Sequence, residues 1–149
     1  MVNMARPDNV VPLRPKRRIK RRLDWKAPRT LALLVHALTM VTFALYLLAS
    51  GPVEYLAAAF GIASIAIAAG RRREGMPWAC THHEFALRTL LFGGVAWVLA
   101  RLITLIPAAS PYAAYAILGI CAWVGLRCLW AFGRAILRLP MPRPTSPLL

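Results

Sequence analysis

The fold is decided by residues 30–50, TLALLVHALTMVTFALYLLAS, a run of 21 residues without a formal charge. At ~1.5 Å per helical residue, a run of this length crosses the ~30 Å hydrocarbon layer of a bilayer. It is longer than the apolar core of a secretory signal peptide, and a long basic stretch precedes it. We therefore interpret it as a retained transmembrane helix.

Three further apolar runs follow, at residues 52–70, 85–106 and 112–133. Gly51 and Pro52 break the chain before the second run, and Pro52 suits the first turn of a helix. The second run is rich in small residues, and the pairs Ala57/Gly61 and Ala59/Ala63 have the spacing that lets helices approach closely in lipid. The sequence therefore predicts an all-α, polytopic membrane domain of four helices within residues 30–139.

The composition supports this class. Hydrophobic residues make up 59% of the 149 residues and charged residues only 16%, whereas soluble domains are about 45–50% apolar and about 25% charged. Mean hydropathy is +0.56. A chain this short cannot bury so much apolar surface in a soluble core, so a soluble enzyme, a disordered chain and a disulfide scaffold are all disfavoured. The three cysteines imply no disulfide framework.

Basic residues are concentrated at the start of the chain, where residues 1–29 hold ten Lys and Arg against Asp8 and Asp24. We predict a disordered basic arm here, either floppy or forming a short helix on the membrane surface. Anionic lipid headgroups are its expected partner, in preference to nucleic acid, because apolar segments follow immediately. The residues expected to contact these headgroups are Arg17, Arg18, Lys20, Arg21 and Arg22.

The remaining basic residues predict the orientation. Apart from Arg101, they fall at 71–73, 88, 127, 134, 138 and 143, whereas the connections at 50–53 and 107–111 contain none. Because cytoplasmic loops carry the excess of Lys and Arg, both termini are expected in the cytoplasm. Residues 140–149 then form an extended, proline-rich cytoplasmic tail.

Each charged side chain inside a span requires a partner or access to the headgroups, because burying a charge in the apolar layer is costly. Arg88 stands four residues after Glu84, so an ion pair on one helix face is available. Glu54 and Arg101 lie at similar depths near the opposite side of the membrane and could pair. Separate snorkelling of each side chain to the headgroups is the alternative.

The region around His82 holds side chains able to bind metal, but their spacing matches no zinc pattern. Thr81 and Glu84 have the spacing of a helix capping box. We predict no metal, no cofactor and no catalytic residue. His82, Arg88 and Arg127 are instead expected at one depth on the cytoplasmic side, as a polar collar that positions helices or binds a lipid phosphate.

Two blocks of sequence resemble a family of small, uncharacterised bacterial transmembrane proteins that is distantly similar to chloroplast inner-envelope import-channel subunits. The first block is Trp78, Thr81-His82 and Arg88-Thr89, and the second is Arg127 with Pro140-Met141-Pro142. The resemblance implies a helical bundle in the bacterial inner membrane, with a partner-binding or translocation-accessory role. The candidate lipid or partner interface is Trp78, His82, Glu84, Arg88 and Arg127.

These observations favour a non-enzymatic accessory or interaction subunit of an inner-membrane complex. Its partners would be membrane lipids together with a membrane-protein partner or further copies of the chain. The alternative is a small transporter or channel component that acts as an oligomer. It would need a polar pathway, for which the spans offer only His36, Glu54, Arg101 and a few hydroxyl groups.

Overall fold

A computed structural model describes residues 27–48, 51–73 and 75–146. This part of the chain is all-helical, and each helix is long and apolar enough to span a membrane, which confirms the predicted class and fits a small integral membrane protein. The basic arm, with Arg17, Arg18, Lys20, Arg21 and Arg22, lies outside the described residues. The helices are α1 (Pro28–Leu48), α2 (Pro52–Arg71), α3 (Pro77–Ile103) and α4 (Ser110–Ile136).

The four helices form a bundle in which consecutive helices pack together and α4 returns to α1. Helices α1 and α3 also touch across the centre, whereas α2 and α4 do not meet. We call one end of the bundle the arginine end, where α1 and α3 begin and α2 and α4 finish. The central core lies between the ends and is filled by Phe43, Leu90, Cys121, Val124 and Cys128.

Helices α1 and α2 approach closely because α2 presents a stripe of small residues to α1. A Cβ atom on Gly61 would lie 3.3 Å from Thr42 Cγ2, so only a small residue fits well at this position. The Ser64 hydroxyl donates a hydrogen bond to the Val35 carbonyl oxygen at 3.0 Å, which ties the two helices together. Of the two predicted small-residue pairs, Ala57/Gly61 is buried against α1, while Ala59/Ala63 is exposed on the outer face of α2.

Helix α3 corrects the predicted boundary, because it begins at Pro77 and not at residue 85. Proline is favoured at the first position of a helix, where its fixed φ fits and its missing N–H is not needed. Thr81 and Glu84 therefore lie inside the helix, and the predicted capping box is wrong. The polar residues 77–84 extend a helix that, at 27 residues, is about 40 Å long and exceeds the ~30 Å apolar layer.

Helix α4 runs to Ile136, three residues beyond its predicted end, and the chain then reverses. Arg138 has a positive φ of 57°. Its N–H donates to the Ala135 carbonyl oxygen at 3.2 Å, and the Leu139 N–H donates to Arg134 O at 3.0 Å. These two bonds form a Schellman motif with arginine where glycine is usual. As a result, residues 139–146, which we call the strap, fold back onto the bundle instead of forming the predicted extended tail.

Replacing Arg138 with glycine is expected to stabilise the protein by about 0.5 kcal/mol. A non-glycine residue in the left-handed region costs about 1–2 kcal/mol, and the greater freedom of glycine in the unfolded chain offsets about 0.5–1 kcal/mol of that gain. Unfolding by SDS titration, followed by circular dichroism, measures the difference. Arg138→Ala is the matched control, since it also removes the charge but keeps the strained conformation. An equal gain in both variants would contradict this explanation.

Candidate functional site

Two histidines from different helices meet in the interior towards the arginine end. His36 on α1 and His82 on α3 are both fully buried. His36 Nε2 lies 3.1 Å from His82 Nδ1, and His82 Nε2 lies 2.9 Å from the carbonyl oxygen of Leu139. The pair therefore links α1, α3 and the strap through consecutive hydrogen bonds.

The geometry fixes the tautomers of the neutral pair. A carbonyl oxygen only accepts, so His82 must carry its proton on Nε2 to reach Leu139. His82 Nδ1 is then an acceptor, and His36 must donate from Nε2. His36 Nδ1 becomes an unprotonated, buried nitrogen, for which no hydrogen-bond partner is found among the described residues.

We predict that His36 and His82 are both Nε2–H tautomers in the folded protein at pH 7.5. The ¹⁵N chemical shifts of ring-labelled protein in micelles distinguish the two ring nitrogens directly. An Nδ1–H tautomer at His82 would show that the Leu139 contact is not the hydrogen bond described here.

The strap contacts the bundle mainly through its backbone carbonyl oxygens. Proline has no N–H, so Pro140, Pro142 and Pro144 leave the strap with more acceptors than donors. Met141 supplies one N–H, which donates to Thr81 Oγ1 at 2.9 Å, and its side chain is buried in a cluster with Phe85 and Ala131. Four carbonyl oxygens face cationic or imidazole donors: Leu139 to His82, Pro140 to Arg134, Thr145 to Arg88 and Ser146 to Arg127.

Arg127 is the largest fully buried side chain in the described part of the protein. Its Nε donates to Thr89 Oγ1 at 3.2 Å, and its Nη2 donates to the Ser146 carbonyl oxygen at 3.1 Å. The guanidinium carbon lies 4.1 Å from the centre of the Phe85 ring and 5.0 Å from that of Trp123. Aromatic faces attract a cation, and a charged donor strengthens each hydrogen bond. The buried charge is therefore surrounded by groups that stabilise it.

The remaining residues of the predicted interface lie around this centre. Arg88 Nε pairs with Glu84 Oε1 at 2.7 Å on the outer face of α3. The Trp78 ring lies edge-on to His82, with ring centres 5.8 Å apart. Arg88 reaches the strap only through a long 3.5 Å contact with Thr145 O. The structure thus places His82 and Arg127 beneath the strap, whereas Arg88 and Glu84 lie at its edge.

Sequence reasoning missed several residues of this site. His36 was named only as a polar group of the first span and Thr89 only within the resembling block, and Phe85 was not named, because nothing local in the sequence shows which side of each helix turns inward. The prolines at 140, 142 and 144 predict an extended tail and do not indicate the contacts that the strap makes with the bundle. The available signal was the alternation of prolines at 140, 142 and 144, which removes backbone donors and leaves an excess of carbonyl acceptors close to Arg134 and Arg138.

At the opposite end, the structure brings Glu54 and Arg101 together. Arg101 Nη2 lies 3.7 Å from Glu54 Oε1, and the Arg101 guanidinium carbon lies 5.4 Å from the centre of the Trp97 ring. Both charged side chains are partly exposed. The two side chains lie close enough to offset each other's charge near the membrane boundary.

The cluster at the arginine end consists of His36, His82 and Arg127. It joins the helices through hydrogen bonds from two imidazoles and a buried guanidinium, some of which end on backbone oxygens of the strap. Within residues 27–48, 51–73 and 75–146, no group of three or more His, Cys, Asp or Glu side chains could hold a metal ion. No family model matches the chain, and no curated protein or solved structure is significantly similar to it. The fold and cluster define a small, multi-pass helical membrane protein whose buried cationic cluster is covered by its own C-terminal strap.

Proposed function

We propose that the protein is a non-enzymatic accessory or interaction subunit of a complex in the bacterial inner membrane, with both termini in the cytoplasm. The resemblance to small bacterial transmembrane proteins and the distribution of arginines support the location and orientation. The role is that of a rigid four-helix element that a second membrane protein recognises.

One observation carries the proposal, namely the outer face of α2. Its inner face packs on α1 through small residues, and a second row of small residues, Ala59, Ala63 and Ala66, is exposed on the other side. In lipid, such a row lets a second helix approach closely, and van der Waals contact then drives association. Only 22% of the most apolar 18-residue stretch of α2 is buried against the rest of the chain. The row of small residues is therefore available to a partner.

The packed interior argues against a pathway through one copy. Phe43, Leu90 and Val124 fill the centre of the bundle. The hydroxyl groups of Thr39, Thr42 and Thr89 donate to carbonyl oxygens of their own helices, so they do not form a continuous polar route.

Photo-crosslinking from the outer face of α2 tests the proposal. A benzophenone amino acid in place of Leu56, which is exposed one turn before Ala59 on the same face, is expected to capture one defined membrane protein in native membranes, and the same protein should copurify in mild detergent. Adding Ala63→Ile should abolish both results without changing the unfolding curve. Leu118, exposed on α4, is the matched control position and should not capture that protein.

Two results would overturn the proposal. Purification of the chain alone as a homo-oligomer that conducts solute in liposomes would establish the transporter alternative. A reporter fused at Pro107 that behaves as cytoplasmic would refute the orientation, since residues 107–111 are expected on the opposite side from both termini.

A further inference from the structure

A groove at the arginine end combines a cationic rim with an apolar floor. It has a cavity volume of 440 Å³ and lies on the outer surface between the end of α2 and the side of α3. Its rim is formed by Arg72, Glu84 and Arg88, and its floor by Leu91, Phe92 and Val95. The floor residues are all about half exposed. They cover little more than one turn of α3 at the middle of the helix, directly beyond Arg88.

The rim lies at the depth of a lipid headgroup. Arg72 directly follows the last residue of α2, which is itself about as long as the ~30 Å apolar layer is thick. Leu87 packs in one cluster with Ala68, which precedes the end of α2 by three residues, or about 5 Å. The Arg88 backbone therefore lies about 7 Å below that of Arg72, and the long Arg88 side chain can span this distance to the boundary where headgroup phosphates meet acyl chains.

The rim retains hydrogen-bond donors for an anion. Arg88 Nε donates a hydrogen bond to Glu84 Oε1 at 2.7 Å, and Arg88 Nη1 makes only a long contact of 3.5 Å with the Thr145 carbonyl oxygen. Within the described residues, Arg72 makes no ion pair, and its side chain is exposed. The Glu84 carboxylate is neutralised by Arg88, so the net charge of the rim is set by Arg72 and by its exposed neighbours Arg71 and Arg73. An arginine fork suits the oxygens of a phosphate group.

We propose that this groove binds one phospholipid with an anionic headgroup, whose phosphate contacts Arg72 and Arg88 while an acyl chain lies over Leu91, Phe92 and Val95. A free phosphate would not use the apolar floor. A second copy of the chain, packed symmetrically on this face, would bring like charges of the two rims together, which is unfavourable. A single anionic phospholipid therefore matches both the positive charge of the rim and the apolar surface of the floor.

Native mass spectrometry of the full-length protein, titrated with phosphatidylglycerol in detergent, measures binding of the first lipid. Arg72→Gln should weaken this binding about fivefold. Arg73→Gln, which removes the same charge one residue away and outside the groove, should have a clearly smaller effect. Glu84→Gln should tighten binding, because it frees Arg88 and removes the carboxylate. A purely structural role for Glu84 would not produce tighter binding.

A second pair of variants tests the floor. Val95→Trp or Leu91→Trp fills the groove at an exposed position and should abolish the preference for phosphatidylglycerol over phosphatidylcholine, with both arginines intact. Equal effects of Arg72→Gln and Arg73→Gln would reduce the site to diffuse attraction and overturn the proposal. It would also be overturned if glycerol 3-phosphate stabilised the protein as well as the lipid does, or if the tryptophan variants instead dissolved a dimer.

Discussion

A chain that ends after Arg138 is expected to lose at least about 3 kcal/mol of stability. The truncation removes the strap, and with it the carbonyl oxygens that accept from His82 at 2.9 Å and from Arg127 at 3.1 Å. It also exposes the pocket that Met141 fills beside Phe85. Removing an acceptor from a buried cation costs more free energy than breaking an ion pair on the surface, because water cannot replace the lost partner inside the bundle.

A second substitution separates the electrostatic part of this loss from the packing part. Arg127→Met in the truncated chain removes the buried charge and should recover most of the loss, whereas the same change in the full chain should not stabilise it. Arg143→Ala and Thr145→Ala in the full chain are the controls, because they keep every backbone carbonyl. SDS unfolding curves of these five variants and of the unchanged chain complete the comparison. If Arg127→Met gives no recovery, the strap acts through Met141 and the His82 contact and not through the buried charge.

Gly93→Ala is expected to destabilise the bundle by about 1–3 kcal/mol. A Cβ atom on Gly93 would lie 2.7 Å from Phe43 Cζ and 2.9 Å from Val124 Cγ2. These distances are too short for carbon atoms, so α1, α3 and α4 would have to move apart where they meet. The closely packed core absorbs such a change poorly, because each side chain is held by several neighbours.

The adjacent glycine provides the matched control. A Cβ atom on Gly94 would have nothing within 4 Å, so Gly94→Ala should be neutral or stabilise the helix by up to about 1 kcal/mol. Phe43→Leu in the Gly93→Ala background should restore part of the stability, because leucine lacks the atom that clashes. Unfolding curves measured under one set of conditions test both signs. Equal shifts for the two alanine variants would contradict the packing described here.

Local signals in the sequence were sufficient for the helices. Each span is an uncharged or nearly uncharged run. The chain breaks at Gly51-Pro52 and near Pro107, where glycine and proline disfavour the continuation of a helix. The start of α3 was misplaced even though Pro77 marks it. The polar side chains within residues 77–84 favour a loop when hydropathy alone is considered. A helix that extends beyond the apolar layer also carries polar side chains there, because it is in contact with water and headgroups.

The candidate site was only partly predictable. The depth of a residue in the membrane follows from counting residues along its helix. Glu54 and Arg101 have similar depths, so the sequence offered their ion pair as an alternative to separate snorkelling. The rotation of a helix about its own axis does not follow from counting when nearly all of its faces are apolar. His36 and His82 are 46 residues apart in the chain, and only packing decides that they face each other.

The sequence by itself determined the four membrane-spanning helices, because the energy of placing a residue in lipid depends on that residue and its near neighbours alone. The tertiary structure decided which side chains meet, that Arg127 is buried against Phe85, and that the proline-rich end returns to cover it. Those outcomes depend on contacts between distant segments, where buried donors are satisfied by whichever acceptors the folded chain brings within reach.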